Sequence, residues 1–463
     1  MGLTDGIEID INWVDKDLLR ACWENVYKMV TIIQHDIYFA KDGAGNLYYY
    51  HEGVYKPKGE EALMEMYLKL LAAVDRKEEF KKLMPGALIM YVGINAPMLW
   101  DRPKLEWLNL LNGIYDWGRM ELLPHTPENL TTVQIPINYD STAECPKWDT
   151  FLEEIFPEGV TLMREVIGLC MTPFMGLHKC IVLVGGGSNG KSTFLNAVET
   201  AIGKQNICNL SLQKLTDPRE RFSSSGIVGK LVNIFSDLSA RKIEDTSNFK
   251  ALTGQDSLTI EYKHKNQFSY TPFCKLIFSC NEVVKSDDDS VGYKRRFIHI
   301  PFVKPLKVDP KKGEEIAYNL AQPRELSGLL NKIIPRLPFI IEDGFTITEE
   351  IAAMVDNYCP IPDITKTWLL TNFVEDPEGI LPSSMFYNYY CSHCIATEPF
   401  DRSKLIQYMK TLFPGIIGVN QVTRIWKGLN PVRCYRGVKA IDPEVQAIIM
   451  GDAMVQAQNW SED

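Results

Sequence analysis

No apolar run in this 463-residue chain approaches the ~18 residues that a membrane span needs, so no transmembrane segment and no membrane partner are expected. The first residues, MGLTDGIEIDINWVDKD, have neither a basic start nor an apolar stretch, so no secretory leader is expected there. The 11 cysteines are odd in number and follow no framework spacing, which argues against a disulfide scaffold and for a reducing, cytoplasmic setting. Cys391 and Cys394 have metal-ligand spacing, but no second pair accompanies them. An ordinary core or loop pair is the expectation, not zinc. Internal repeats and low-complexity stretches are absent as well. An aromatic fraction of 11% and a net charge of -10 exclude disorder as the main state.

What is present is an ordinary globular composition, 45% hydrophobic and 23% charged, long enough for about three domains at roughly 150 residues each. Residues 46–55 predict two short strands around the Glu52-Gly53 turn. Residues 59–83 predict an amphipathic helix with Leu63, Met66, Tyr67, Leu70 and Leu71 on one face. Four prolines between 124 and 146 mark a connection, and 149–172 reads as one helix. From 175 to 305, short apolar runs at 181–184, 231–235, 275–279 and 297–300 alternate with helical patterns, which predicts an α/β layer. Residues 315–395 read as mostly helical, with breaks near 335 and 377–382. Residues 401–440 hold eight basic residues and one acid, +7 within a chain of net -10. Their pattern is helix, Pro-Gly turn, helix, then a strand pair turning at Arg436-Gly437, as in a helix-turn-helix with a β wing.

Residues 185–192, Gly-Gly-Gly-Ser-Asn-Gly-Lys-Ser, match G-x-x-x-x-G-K-[ST] in full, after an apolar strand and before a helix that ends at Gly203. Glycines let backbone N–H groups face phosphate oxygens, and the helix N-terminus adds partial positive charge. Gly185, Gly187, Ser188, Asn189, Gly190, Lys191, Ser192 and Thr193 are therefore the candidate ATP-binding residues. Lys191 would neutralise the outer phosphates and Ser192 would ligate Mg²⁺. Asp237, at a strand end, is suited to holding Mg²⁺ or to polarising water. By itself such an acid is as often a solvated strand-end residue. Asn281, after another strand, suits a γ-phosphate or water contact, and equally an ordinary turn. Arg295 and Arg296 precede a strand. Arginine stabilises transition-state charge and can come from a neighbouring subunit, although Lys-Arg-Arg is usually a solvated cluster. Residues 258–268 alternate towards a Lys263-His264-Lys265 tip. A cationic hairpin tip can grip a nucleic-acid backbone, and an ordinary exposed hairpin fits as well.

The order of these segments, GGGSNGKST, GKLVNIFSDL, KALTGQDSLTIEYKHK, KLIFSCNE and GYKRRFIHIPF, resembles the successive motifs of the superfamily-three helicases of phages, plasmids, satellites and poxviruses. The resemblance is strong over 175–305. It extends to 45–170 as the domain preceding the helicase core and to 400–440 as a winged helix. It implies an α/β P-loop AAA+-type core with an N-terminal α+β/helical domain and a C-terminal winged-helix domain. The implied boundaries are 1–148, 149–310, 311–395 and 396–463. It further implies a ring, usually a hexamer, with ATP between subunits, single-stranded DNA in the channel and 3′ to 5′ movement. Lys191 and Ser192 become the Walker A pair, Asp237 the Walker B acid, and Asn281 the first sensor. Arg295 becomes the arginine finger, with Arg296 second, and Lys263, His264 and Lys265 the channel hairpin tip.

Arg424, Lys427, Arg433 and Arg436 would bind duplex or origin DNA through the winged helix, with a primase or other replisome protein as a further partner. One departure stands out: Ser236 and Leu238 flank Asp237, so one acid occupies a place where many relatives have two polar residues. The chain also leaves no room for a primer-synthesising domain, so helicase activity without primer synthesis is expected, in the cytoplasm of a bacterial host. Two other classes remain open: an initiator whose ATPase only switches assembly, and a small-molecule P-loop kinase.

Overall fold

The structure is a computed structural model. It describes residues 2–12, 14, 25–74, 84–186, 189–217, 223–238, 246–262, 267–281, 290–302, 310–358, 364–394, 402–416, 422–423 and 432–450. They cluster into two compact units, one of residues 1–287 with 295–358 and one of 288–294 with 359–463.

In the first unit, the helix Val26–Asp36 precedes a small antiparallel sheet of β1 (Phe39–Lys41), β2 (Leu47–His51) and β3 (Val54–Lys56). Glu52 and Gly53 both have positive φ (52° and 84°), the backbone that a two-residue hairpin turn requires. The helix Gly59–Ala73 buries Leu63, Met66, Tyr67, Leu70 and Leu71, the face that its 3.6-residue period predicts. The two helices, β1, β2 and the helix Met84–Asn95 form a core of their own. A second meander follows, β4 (Trp107–Leu110), β5 (Gly113–Asp116) and β6 (Glu121–Leu123). Its buried residues join the larger core that continues to Ile351.

Residues 149–172 are not one helix. Two helices, Pro146–Ile155 and Val160–Met171, are separated by a turn in which a Cβ on Gly159 would sit 2.2 Å from the Phe156 ring. Pro157 ends the first helix: it has no N–H to donate, and it holds Phe156 in an extended backbone at φ -153°.

The centre of this unit is a parallel sheet of β7 (Cys180–Val184), β8 (Ile207–Cys208), β9 (Val232–Phe235), β12 (Lys275–Cys280) and β13 (Phe297–Pro301), in spatial order β13-β7-β12-β9-β8. Strands β7 and β12 are buried at every residue, as in a sheet covered on both faces. The four apolar runs of the sequence are four of these strands, and β8 is a two-residue edge. Between β9 and β12 lies the antiparallel hairpin of β10 (Leu258–Ile260) and β11 (Phe268–Tyr270). A buried carboxylate, Glu165, ties the covering helices together. It accepts from Arg336 Nε at 3.2 Å, from the Thr346 N–H at 2.6 Å and from Thr346 Oγ1 at 2.7 Å.

The second unit orders its elements as helix Ile364–Asn372, β14 (Phe373–Pro382), helices Ser383–His393 and Arg402–Leu412, β15 (Val422–Thr423) and β16 (Val432–Ala440). Its antiparallel sheet runs β14-β16-β15 around a core that includes Phe373, Phe386 and Tyr390. Two expectations are corrected here. Residues 373–382, read as helix running into a break at 377–382, form a strand paired with β16, with a register shift between Glu375 and Ile380. Arg436-Gly437 is not a turn but lies inside β16. Gly437, at φ +93°, carries no Cβ because one would meet the Gly415 carbonyl at 2.3 Å.

Lys275, the first residue of β12, is almost fully buried. Its ammonium donates to the carbonyls of Thr172 and, at 3.2 Å, Phe273. Burial pushes its pKa down from near 10.5 to about 8. Below that pH the ammonium is charged both folded and unfolded, and folding bears the whole cost of burying it. Between about 8 and 10.5 only the unfolded chain keeps the proton, so Lys275's contribution to stability rises with pH. The unfolding free energy of wild type minus that of Lys275→Met should therefore climb by about 3 kcal/mol from pH 7.5 to 10.5. Urea titrations across that range measure it, and a flat difference would refute the assignment.

Candidate functional site

The phosphate-loop segment begins where β7 ends. A Cβ on Gly185 would sit 2.3 Å from Asn189 Nδ2 and 2.4 Å from the Phe302 carbonyl, so only glycine fits. Around Gly186 no described residue stands within 4 Å of a Cβ position. Gly190, at φ +87°, turns the chain into the helix Lys191–Ile202, which ends at Gly203. Asn189 Nδ2 donates to the Phe302 carbonyl at 2.7 Å and fastens the loop to the residue following β13.

The buried Lys191 ammonium donates to Gly185 O at 2.6 Å, Asn189 Oδ1 at 3.0 Å and Gly186 O at 3.4 Å. Burial lowers its pKa, while Cys280 and Asp237 pull the other way. A cation held among uncharged oxygens at a helix N-terminus fits an entering anion such as a nucleotide's phosphates. Ser192 and Thr193 lie in the first turn of that helix. Gly187 and Ser188 lie outside the described residues.

Register brings the other candidates to the same end of the sheet. Val184 pairs with Cys280, so Gly185 and Asn281 are level on neighbouring strands. Phe278 pairs with Phe235, so Asp237 lies level with Cys280 on the next strand. Asp237 and Asn281 are exposed. Asp237 has φ +60°, a left-handed backbone that Asp tolerates better than most residues. Ser279 holds this turn: its hydroxyl accepts the Asp237 N–H at 3.3 Å and its carbonyl the Leu238 N–H at 2.7 Å. Sequence reasoning passed over Ser279, and the signal for it is one hydroxyl inside the apolar run KLIFSC.

Arg295 and Arg296 are not brought to this end. Phe297 pairs with Cys180 and Phe302 follows Pro301, the partner of Val184. Both arginines therefore lie roughly 20 Å from their own phosphate loop along the strands, at the opposite edge. They also differ from each other. Arg296 is half-buried and donates from Nε to Thr253 Oγ1 at 2.8 Å and from Nη2 to the Lys250 carbonyl at 3.3 Å. Arg295 is exposed, and its carbonyl accepts from Lys179 Nζ at 2.6 Å.

Lys263, His264, Lys265, Arg424 and Lys427 lie outside the described residues. Arg433 and Arg436 are both on β16, Arg436 exposed. Cys391 is exposed and Cys394 buried. Among the described residues no group of three or more His, Cys, Asp or Glu is placed to hold a metal ion. No helix among them is long and apolar enough to cross a membrane.

Comparison with known proteins adds the following. Residues 183–296 match a family of unknown function, DUF5906, and residues 26–157 match a family described as D5 N terminal like. The chain is 25% identical over 264 residues to a protein named "Putative helicase 121R" of Invertebrate iridescent virus 3, covering 53% of this chain and 28% of that one. It is 30% identical over 164 residues to "Putative helicase L207/L206" of Acanthamoeba polyphaga mimivirus, covering 33% and 17%. The chain thus spans less than a third of the length of these relatives. Among solved structures, the apo NrS-1 C-terminal region aligns with a TM-score of 0.44 at 14% identity, over 89% of this chain and 98% of that one. A JCV helicase aligns with a TM-score of 0.30 at 17% identity, over 42% and 59%.

The glycine cradle yields a direct test. Gly185→Ala should destabilise the protein by about 1–3 kcal/mol, since its methyl meets backbone as well as a side chain. It should also abolish binding of a fluorescent ATP analogue. Wild-type binding by this variant would show that the loop does not hold phosphate in this shape.

Proposed function

We propose that this chain is an ATP-dependent, ring-forming DNA helicase of the superfamily-three, AAA+-like type. One observation carries the reading. A parallel sheet in the order β13-β7-β12-β9-β8 brings the phosphate-loop lysine, the acid Asp237 and the amide Asn281 to the carboxyl ends of three adjacent strands. Ligands of open parallel sheets bind at that end. Three unrelated chemistries, a cation, an acid and an amide, converge there from segments as much as ninety residues apart in the sequence.

In this reading Lys191 binds the outer phosphates of ATP and the N–H groups of the loop orient them. Ser192 and Asp237 have the oxygen donors that Mg²⁺ prefers, and the ion would neutralise phosphate charge. Asn281 orients the γ-phosphate or the attacking water. Arg295, exposed at the far edge, serves the ATP of a neighbouring subunit, whereas Arg296 braces the helix Ser247–Gly254. The β10–β11 hairpin carries Lys263, His264 and Lys265 towards single-stranded DNA in the ring, which moves 3′ to 5′. The helix and strand order of the second unit, with its β14-β16-β15 sheet, supports a winged helix that binds duplex through Arg433 and Arg436. Similarity to viral proteins named as helicases supports the same class, and a phage or other mobile element is the proposed source.

Strand displacement on forked DNA with ATP and Mg²⁺ tests this. Unwinding should require a 3′ tail and vanish in Lys191→Ala. Arg295→Ala should lose at least about tenfold in ATPase and should inhibit wild-type subunits when mixed with them. Arg296→Ala should chiefly lower stability. DNA-stimulated ATPase without unwinding would replace the helicase with a nucleotide-switched initiator, and ATPase indifferent to DNA would reopen the kinase class.

A further inference from the structure

A cavity of about 680 Å³ lies in the first unit, bounded by the β1–β3 sheet, the segment 99–103, residues 131–134, the loop 228–230 and β11. Its size falls in the range of roughly 300–1,000 Å³ typical of ligand sites. Six aromatic rings line it: Tyr48, Tyr55, Trp100, Phe268, Tyr270 and Phe273. Three of them form a fixed floor. Tyr55 donates its hydroxyl to the Pro127 carbonyl at 2.8 Å, the Tyr270 hydroxyl accepts the Gly229 N–H at 3.0 Å, and Phe273 is buried. The other three, Tyr48, Trp100 and Phe268, are half-exposed.

The surrounding charge narrows the occupant. Lys56 and Lys230 balance Asp42 and Asp101 in the lining, so the cavity itself does not select an anion. Asp42 already accepts the N–H groups of Ala44 and Asn46 at 2.9 and 2.8 Å. Cationic charge stands at the wall beyond: Lys104 Nζ lies 5.3 Å from the Trp100 ring centroid and 3.7 Å from that of Trp107. A neutral aromatic chamber beside a lysine suits an uncharged ring whose attached phosphate stays outside. A base on a single strand is such a ligand, since stacking on aromatic side chains accepts any base. Phe268 belongs to the hairpin itself and stacks on Tyr262 at 5.5 Å and 27°. Its ring also lies 3.3 Å from a Cβ position on Gly43, in the turn between β1 and β2. The cavity is therefore built against the hairpin's base.

We propose that this cavity takes an unstacked base of single-stranded DNA, with Trp100 and Phe268 as its stacking platforms. The proposal rests on the helicase reading and locates a DNA contact outside the hairpin tip. A fluorescein-labelled oligothymidylate and an abasic strand of the same length, titrated without nucleotide into the full chain, test it. Trp100→Ala should weaken oligothymidylate binding about tenfold and abasic binding less than about twofold, while Trp100→Phe retains most of the affinity. Phe268→Leu should repeat this pattern, and DNA-independent ATPase should stay at the wild-type level in all three variants. Equal loss on both strands, or loss on neither, overturns the proposal and leaves the helicase reading standing if unwinding persists. A chain that binds no single-stranded DNA overturns both.

Discussion

Everything at the candidate site depends on β12 being inserted between β7 and β9. It is hydrogen-bonded on both sides and buried at all six residues, including the charged one at its start. Its register sets the levels at which the phosphate loop, Asn281 and Asp237 stand. Slipping β12 by one residue would turn its side chains to the opposite faces and separate the three groups. The strand fixes itself with polar groups at both ends: Lys275 on the carbonyls of Thr172 and Phe273, and Ser279 on the turn that carries Asp237. Burying the ammonium of Lys275 has a cost, evident in its depressed pKa, and the two carbonyls recover part of it.

The phosphate loop is held in shape by its own groups. Asn189 bridges from the Lys191 ammonium to the Phe302 carbonyl, so the loop, the helix behind it and the end of β13 form one closed set of contacts. On the proposed reading, phosphate would offer the ammonium charged acceptors in place of carbonyls and so add the attraction of opposite charges.

Much of this was legible in the sequence. The loop motif, the strand before it and the helix to Gly203 follow from glycine spacing and periodicity. Four of the five central strands are apolar runs, two of them leading into the polar Asp237 and Asn281. The losses have physical causes. β8 is two residues long and has no period to detect. β14 contains Pro377, Gly379 and three acids, and it is a strand only because β16 supplies partners for it. Arg436-Gly437 has turn chemistry, but the glycine instead allows β16 to pass against Gly415. Arg295 and Arg296 are indistinguishable as neighbours in a sequence. A contact with Thr253, forty-three residues away, separates their environments. Ser279 and the link from Asn189 to Phe302 likewise depend on pairings that no local pattern encodes.

The two ends of the central strands present different groups. One end carries the lysine, acid and amide, and the other the exposed Arg295. On the proposed reading, an arginine this far from its own site would serve an identical chain stacked head to tail, the kind of contact that closes into rings. The link between the ends is short and stiff. β7 carries the phosphate loop at Val184, while at its start the Cys180 N–H donates to the Arg296 carbonyl at 2.6 Å and Lys179 holds that of Arg295. Five buried residues of strand therefore connect the phosphate-loop segment to the backbone of the two arginines. In the ring proposed for this protein, a shift of the loop on nucleotide binding would move that arginine by rigid transmission through the sheet.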